Sequence, residues 1–164
     1  MEMQEIQIRP IQPEDNPAIA RIIRSVLEEF GANKPGTVYY DSETDHLYEL
    51  FSNTPGSVYQ VATQNGQLLG GAGIYPTPNL PEGTCELVKM YLLATARGKG
   101  VGRTLIEQAF TLASQLGYHS IYLETMPELT KAIYIYEKMG FEYLNGPMGN
   151  SGHTGCDIWM IKNL

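Results

Sequence analysis

The chain has 164 residues, of which 43% are hydrophobic and 18% charged, and it carries a formal net charge of −7. That length fits one domain of the commonest size, roughly 100–150 residues or a little more, so residues 1–164 are read as a single domain with its own core. The negative balance disfavours a general nucleic-acid binder, which needs a basic surface, and no apolar run approaches the ~20 residues of a membrane span.

Taken in order, the chain starts Met1-Glu2-Met3-Gln4-Glu5, without the basic-then-apolar layout of a signal peptide. The expectation is a soluble, cytoplasmic protein. Residues 5–11 alternate apolar and polar as a half-buried strand does. Asp15 is placed to cap a helix carrying Ile19, Ile22, Ile23, Val26, Leu27 and Phe30 on one stripe, which Gly31 stops. A short second helix holds Leu47, Leu50 and Phe51, with Ser42 or Thr44 at its cap. Val58–Thr63 and Leu68–Tyr75 flank Asn65-Gly66, a strong hairpin signal. Residues 85–93 read as a strand, Gly100–Leu116 as a helix, Ser120–Thr125 as a strand and Leu129–Met139 as a helix closed by Gly140. Phe141–Leu144 and Cys156–Ile161 are the last strands, joined by a Gly-rich connection. This order predicts a mixed sheet with helices on both faces.

The two cysteines, Cys85 and Cys156, are too few for a disulfide framework. With His46, His119 and His153 they form no recognised metal spacing, so no metal is expected.

The most informative stretch is Leu92-Leu93-Ala94-Thr95-Ala96-Arg97-Gly98-Lys99-Gly100-Val101-Gly102-Arg103. A strand runs into a Gly-rich turn that opens a helix. Small residues allow close backbone approach, and the helix start supplies unpaired N–H groups and a positive dipole end, which together suit an anion. From Leu87 to Ile106 there is no Asp or Glu, while Lys89, Arg97, Lys99 and Arg103 give a local excess of positive charge. A Walker A loop needs Gly at position 93 and Ser or Thr at position 100, and a dinucleotide fingerprint needs Gly or Ala at 105. The residues there are Leu93, Gly100 and Leu105, so neither motif fits.

What fits is R-x-x-G-x-G, from Arg97 to Gly102, followed by Ala132-Ile133-Tyr134-Ile135-Tyr136-Glu137-Lys138-Met139-Gly140-Phe141. Together these resemble the GNAT acetyltransferase superfamily, whose signatures are this turn and an A-x-x-L-Y-x-x-x-G-F helix-to-strand segment. The resemblance covers residues 86–141 specifically. Ala94 stands where members often have Pro, and Leu129 where many have Asn. The segment Gly152–Met160 is similar to a subgroup of small bacterial acetyltransferases, some acting on amino-acid-like amines.

The resemblance implies an α/β fold with a mixed, mostly antiparallel twisted sheet of six to seven strands and helices on both faces. It implies an acetyl-CoA-dependent N-acetyltransferase working by direct transfer in a ternary complex, with a small, amino-acid-like amine as acceptor. Such domains often pair as homodimers. Rival readings are an acetyltransferase for protein lysines or N-termini, and a non-catalytic acyl-coenzyme A sensor. The cofactor-binding residues implied are Leu92, Leu93, Arg97, Gly98, Lys99, Gly100, Val101, Gly102 and Arg103, with a main-chain N–H at Leu92 or Leu93 as oxyanion donor. Glu86 is the candidate base, or else a solvent-facing carboxylate paired with Lys89 or a neighbouring strand. Without a bulge, alternation puts Glu86, Val88 and Met90 on one face. Tyr136 is the candidate acid or a core aromatic, and Tyr134 is read as structural. Phe30, with the connection to Gly36, and His153 in the Gly-rich loop are the candidate acceptor contacts.

Overall fold

The computed structural model describes residues 5–164; the first four residues of the acidic N-terminal segment lie outside it. Strand β1 (Gln7–Pro10) leads into helix α1 (Asn16–Glu29) and the short α2 (Leu47–Ser52). Strands β2 (Val58–Gln64), β3 (Gln67–Tyr75) and β4 (Thr84–Leu92) follow, then α3 (Val101–Gln115). The chain ends with β5 (Ser120–Thr125), α4 (Thr130–Lys138), β6 (Glu142–Leu144) and β7 (Ile158–Asn163). The seven strands form one sheet in the order β1-β2-β3-β4-β5-β7-β6. All neighbours are antiparallel except β4 and β5. At the Asn65-Gly66 turn both residues have positive φ, 55° and 78°, the conformation that a two-residue hairpin requires.

Each face of the sheet buries its own core. One core packs Cys85, Leu87, Met90 and Leu92 of β4 against Leu105, Ile106 and Ala109 of α3 and Tyr136 of α4. The other packs Tyr59 and Val61 of β2 against Ile19, Ile23 and Leu27 of α1, with Leu47 and Phe51 of α2. The expected apolar stripe of α1 is therefore the buried one.

Two expected caps are corrected. Asp15 sits just before α1, but its carboxylate turns back to accept Arg9 Nη1 at 2.7 Å and the Gln12 N–H at 2.8 Å. Burial makes the ion pair with Arg9 the better partner. Neither Ser42 nor Thr44 caps α2, because Ser42–His46 is itself a 3-10 turn in which Thr44 Oγ1 donates to the Val38 carbonyl. The start of α2 is held instead by Asn16, whose Oδ1 accepts the Tyr48 N–H at 2.9 Å while its Nδ2 donates to Glu49 at 2.8 Å.

Strand β4 carries a β-bulge. Gly73 pairs with Val88 and Gly71 with Tyr91, so Lys89 and Met90 together oppose one residue of β3. Lys89 takes φ +52°, a left-handed conformation that costs a non-glycine residue roughly 1–2 kcal/mol. The Tyr59 ring lies beneath the bulge and its hydroxyl donates to the Lys89 carbonyl at 2.8 Å. Gly71 and Gly73 make room for that ring: a Cβ on either would fall within 2.7 Å of it. The bulge sends Met90 to the α3 face, while Glu86, Val88 and Lys89 line a cleft together. The alternation of Glu86, Val88 and Met90 on one face holds only for a strand without a bulge, and β4 has one.

Asn16→Ala should remove the cross-helix cap of α2 at a cost of about 1–2 kcal/mol. Thermal unfolding should show a fall in Tm of about 2–4 °C per kcal/mol lost, with coenzyme A affinity unchanged by calorimetry.

Candidate active site

Strand β4 pairs with β5 only over Thr84–Glu86. Beyond that point β4 stays with β3 and β5 with β7, and a wedge opens between them. Leu93 N–H donates to the Leu69 carbonyl at 2.9 Å, so it is engaged within the sheet and is withdrawn as an oxyanion donor. Main-chain groups alternate edges along a strand, which turns the N–H and C=O of Leu92 toward the wedge. Arg97 Nη2 donates to that Leu92 carbonyl at 2.9 Å.

After β4 the chain makes a 3-10 turn at Ala94–Ala96 and enters α3 through Gly98 (φ +75°) and Gly100 (φ +78°). Only glycine adopts this geometry without strain. A Cβ at either position would meet nothing within 4 Å, so no protein atom claims the space beside the turn. Gly100 occupies the N-cap and no side chain caps the helix. The first intrahelical bond reaches back from Thr104 N–H to the Gly100 carbonyl, which leaves the Val101, Gly102 and Arg103 N–H groups for a ligand. A cleft of about 470 Å³ adjoins this turn and reaches Leu92, Arg97, Thr130, Lys131 and Tyr134. A smaller apolar space of about 50 Å³ continues from it into the wedge, past Phe30, Met90, Tyr91 and Ala132.

The four basic residues counted around the turn have four different placements. Arg97 pairs with Glu29 at 2.6 Å and stacks on Phe30, 4.9 Å from the ring centroid. Its guanidinium holds the Glu29 carboxyl below its usual pKa. Arg103 pairs along α3 with Glu107 at 3.0 Å. Lys99 is exposed on the turn and is not among the residues lining the cleft. Lys89 belongs to a different cleft altogether. Phe30 flanks the wedge beneath Arg97, where the end of α1 puts it, and is not among the residues lining the cleft that holds Glu86, Lys89 and His153.

A second cleft, of about 330 Å³, opens at the other end of β4. Glu86, Val88 and Lys89 form its floor, with Asp41, Thr77 and His153 on its walls. Glu86 is 3% exposed and accepts the Thr77 hydroxyl at 2.5 Å. Burial pushes its carboxyl up; the Thr77 hydrogen bond opposes, Glu124 adds to the rise, Lys89 opposes, and the result is about 7. The solvent-facing alternative for Glu86 is thus overturned. His153 is brought to the cleft by its loop, and its Nε2 lies 2.7 Å from Asp41 Oδ2. The loop is tied down further by Asn150 N–H to the Pro78 carbonyl (2.8 Å), Gly155 N–H to the Gly36 carbonyl (2.9 Å), and a short bond from Ser151 to Glu124.

Tyr136 is 6% exposed, its ring packed edge-on against Phe141 with centroids 5.7 Å apart. Burial raises its phenol above the ordinary value, with a further rise from the nearby Cys156. It lines neither the turn cleft nor the wedge. Tyr134, read from the sequence as structural, is 62% exposed and borders the turn cleft. The sequence reading missed Thr77, although prolines at 76 and 78 mark its loop as rigid, and it grouped Lys89 with the basic turn because no local signal announces the bulge that carries it into the other cleft.

The acetyltransferase (GNAT) family model matches residues 21–141. The chain belongs to this family and is an acyltransferase enzyme. It is 41% identical over 159 residues, 96% of its length and 94% of the relative's, to the uncharacterized N-acetyltransferase YjgM of Escherichia coli. It is 31% identical over 126 residues to an IAA acetyltransferase of Azospirillum brasilense, covering 76% of this chain and 80% of that one. Among solved structures, a GNAT-family acetyltransferase from Staphylococcus aureus superposes with a TM-score of 0.85 at 18% identity, covering 97% and 99% of the two chains. The PaiA N-acetyltransferase of Thermoplasma acidophilum, solved with coenzyme A, gives 0.74 at 19% identity over 98% and 99%. These likenesses fit the seven-stranded, mostly antiparallel sheet.

Gly100→Ala should cost the free protein only about 1 kcal/mol, because the left-handed φ is strained but the space is open. Coenzyme A calorimetry should show a Kd raised about tenfold or more, equivalent to 1.4 kcal/mol. Unchanged affinity in the folded variant would remove the turn as a phosphate cradle.

Glu86 carries a second expectation. Its folded value of about 7 lies above its ordinary 4.5. The folded state therefore binds the extra proton between these values, and stability falls as pH rises through that window. Melting curves of Glu86→Gln should lose this component, so that the wild type weakens relative to the variant from about pH 5 to about pH 8.

Proposed function

We propose that the enzyme transfers the acetyl group of acetyl-CoA directly to the amine of a small acceptor bound with it in a ternary complex. The observation that carries this reading is the placement of a buried carboxylate, Glu86, on the same strand that runs into the wedge. The cofactor fits the other side of the bulge. The Gly98–Arg103 turn offers open space, free N–H groups and a helix N-terminus suited to a pyrophosphate, and the wedge is narrow and apolar. When bound there, acetyl-CoA would supply an activated acyl group.

The chain's own residues meet the remaining demands. A primary amine with a pKa near 10 is only about one part in a thousand neutral at pH 7, a deficit of roughly 4 kcal/mol. Glu86, poised at about 7, is half ionised at neutral pH and is the general base for the departing proton. The Leu92 N–H, turned toward the wedge, is the donor for developing negative charge on the acyl oxygen. Tyr136 lies in the core behind the wedge and would act as the acid for the leaving thiolate only once the bound cofactor opens a path to its hydroxyl. Burial keeps its phenol protonated; the same rise makes proton delivery to a thiol of pKa near 8.5 costlier by about 1.4 kcal/mol per unit. The acceptor cleft is walled by carboxylates, which favours a cationic amine before deprotonation.

Acetyl-CoA consumption across small amines and amino acids tests the reading, and turnover confined to protein lysines would overturn it. The kcat/KM of the wild type should rise with pH through about 7. Glu86→Gln should be slowest relative to wild type near neutrality and recover at high pH, where the amine deprotonates unaided; an equal loss at every pH would make Glu86 structural. Tyr136→Phe should keep the fold and lower kcat by about ten- to ten-thousand-fold. Full kcat with chemistry rate-limiting would return Tyr136 to the core.

A further inference from the structure

At the floor of the acceptor cleft, below the exposed Glu43, lies a charge that the protein leaves unanswered. Asp41 is held by His153 and Glu86 by Thr77. Lys89 is 9% exposed and lines the same cleft, yet among the described residues no hydrogen bond or ion pair reaches its Nζ. Asp41, Glu43 and Glu86 are near enough to favour its charged form, but none approaches within the 4.0 Å of an ion pair. The side chain is largely withdrawn from water and its ammonium opens only onto the cleft, a setting that costs a charge part of its hydration, and it stands on a left-handed residue where glycine or asparagine would relieve the backbone. Both costs fall on one side chain that faces the candidate acceptor site, and strain of this kind gathers where function holds it in place.

We propose that Lys89 anchors a carboxylate of the acceptor, so that the cleft takes amino acids in preference to simple amines. This rests on the reading of the cleft as the acceptor site. An amino acid answers both signs of charge in the cleft: its carboxylate pairs with Lys89, and its amino group lies among the carboxylates with Glu86 as base. A polyamine would answer the carboxylates and repel Lys89. A phosphomonoester amine would pair with Lys89, but its second negative charge would face Asp41, Glu43 and Glu86. The bulge makes the arrangement possible, since it brings Lys89 into the cleft three residues after Glu86.

The test pairs each L-amino acid with its own carboxamide and its decarboxylated amine, in steady-state assays with acetyl-CoA. For the best acceptor, kcat/KM for the acid should exceed that for the amide by about tenfold or more, the effect of one charged hydrogen bond. Lys89→Met should raise KM for the acid about ten- to a hundredfold, with KM for the amide and for acetyl-CoA unchanged. Lys89→Arg should restore part of the preference. Lys89→Gly controls for the backbone: it should melt no lower than wild type and still lose the preference. Equal use of acid and amide by the wild type, or an equal loss of both in Lys89→Met, would overturn the anchor and leave the small-amine reading intact. Calorimetry of N-acetyl-amino acids with the coenzyme A-loaded protein separates the two failures. Binding that depends on Lys89 supports the anchor even if no amine in the panel turns over, and absence of binding overturns it.

Discussion

The site depends on β4 and β5 parting company. A parallel pair that continued past Glu86 would satisfy its own backbone and leave nothing between the strands. Because pairing stops there, the far edge of β4 presents polar main-chain groups to the protein interior, and such groups need partners. Arg97 supplies one by donating to the Leu92 carbonyl, while its charge is met by Glu29 and its flat face by Phe30. The residue that the turn motif marks as a phosphate ligand is thus first a brace. It ties the open strand edge to the end of α1 and so fixes where the glycine turn begins.

The two clefts on either side of the bulge make opposite electrostatic offers. At the turn, the start of α3 presents N–H groups and the positive end of a helix dipole, which suit anions. At the other end, Asp41, Glu43 and Glu86 outnumber Lys89, and water is scarce enough to lift Glu86 to about 7. One nine-residue strand therefore spans two environments of opposite sign. The reversal occurs over the few residues from Lys89 to Leu92.

Much of this was legible in the sequence, for local physical reasons. Asn65-Gly66 dictates its own turn, the stripe from Ile19 to Leu27 dictates its own buried face, and Gly98 and Gly100 permit the approach to α3. The parts that were not legible depend on distant partners. Asp15 has the chemistry of a helix cap, but Arg9 lies within reach once β1 is in place. Phe30 ends α1 as expected, and only the position of Arg97 decides which cleft it faces. Lys89 was counted with the basic turn because it is near in sequence, and an inserted bulge residue carries no compositional mark. Glu86 could be placed on its strand but not on its face, since the facing depends on how β4 pairs and on the loop holding Thr77.

The support beneath the bulge constrains how this family member can change. Tyr59 reaches the Lys89 carbonyl only because Gly71 and Gly73 carry no side chains, and a Cβ at either would strike the ring. Loss of Tyr59 would leave two glycines with an empty groove above them, while a larger residue at 71 or 73 would displace Tyr59 and free the bulge. Effects at contacting positions of this kind do not add. Residues 59, 71 and 73 therefore form one heritable unit in which single replacements are penalised whichever comes first, while the side chain at 89, held only through its carbonyl, is free to change within a backbone that its neighbours hold still.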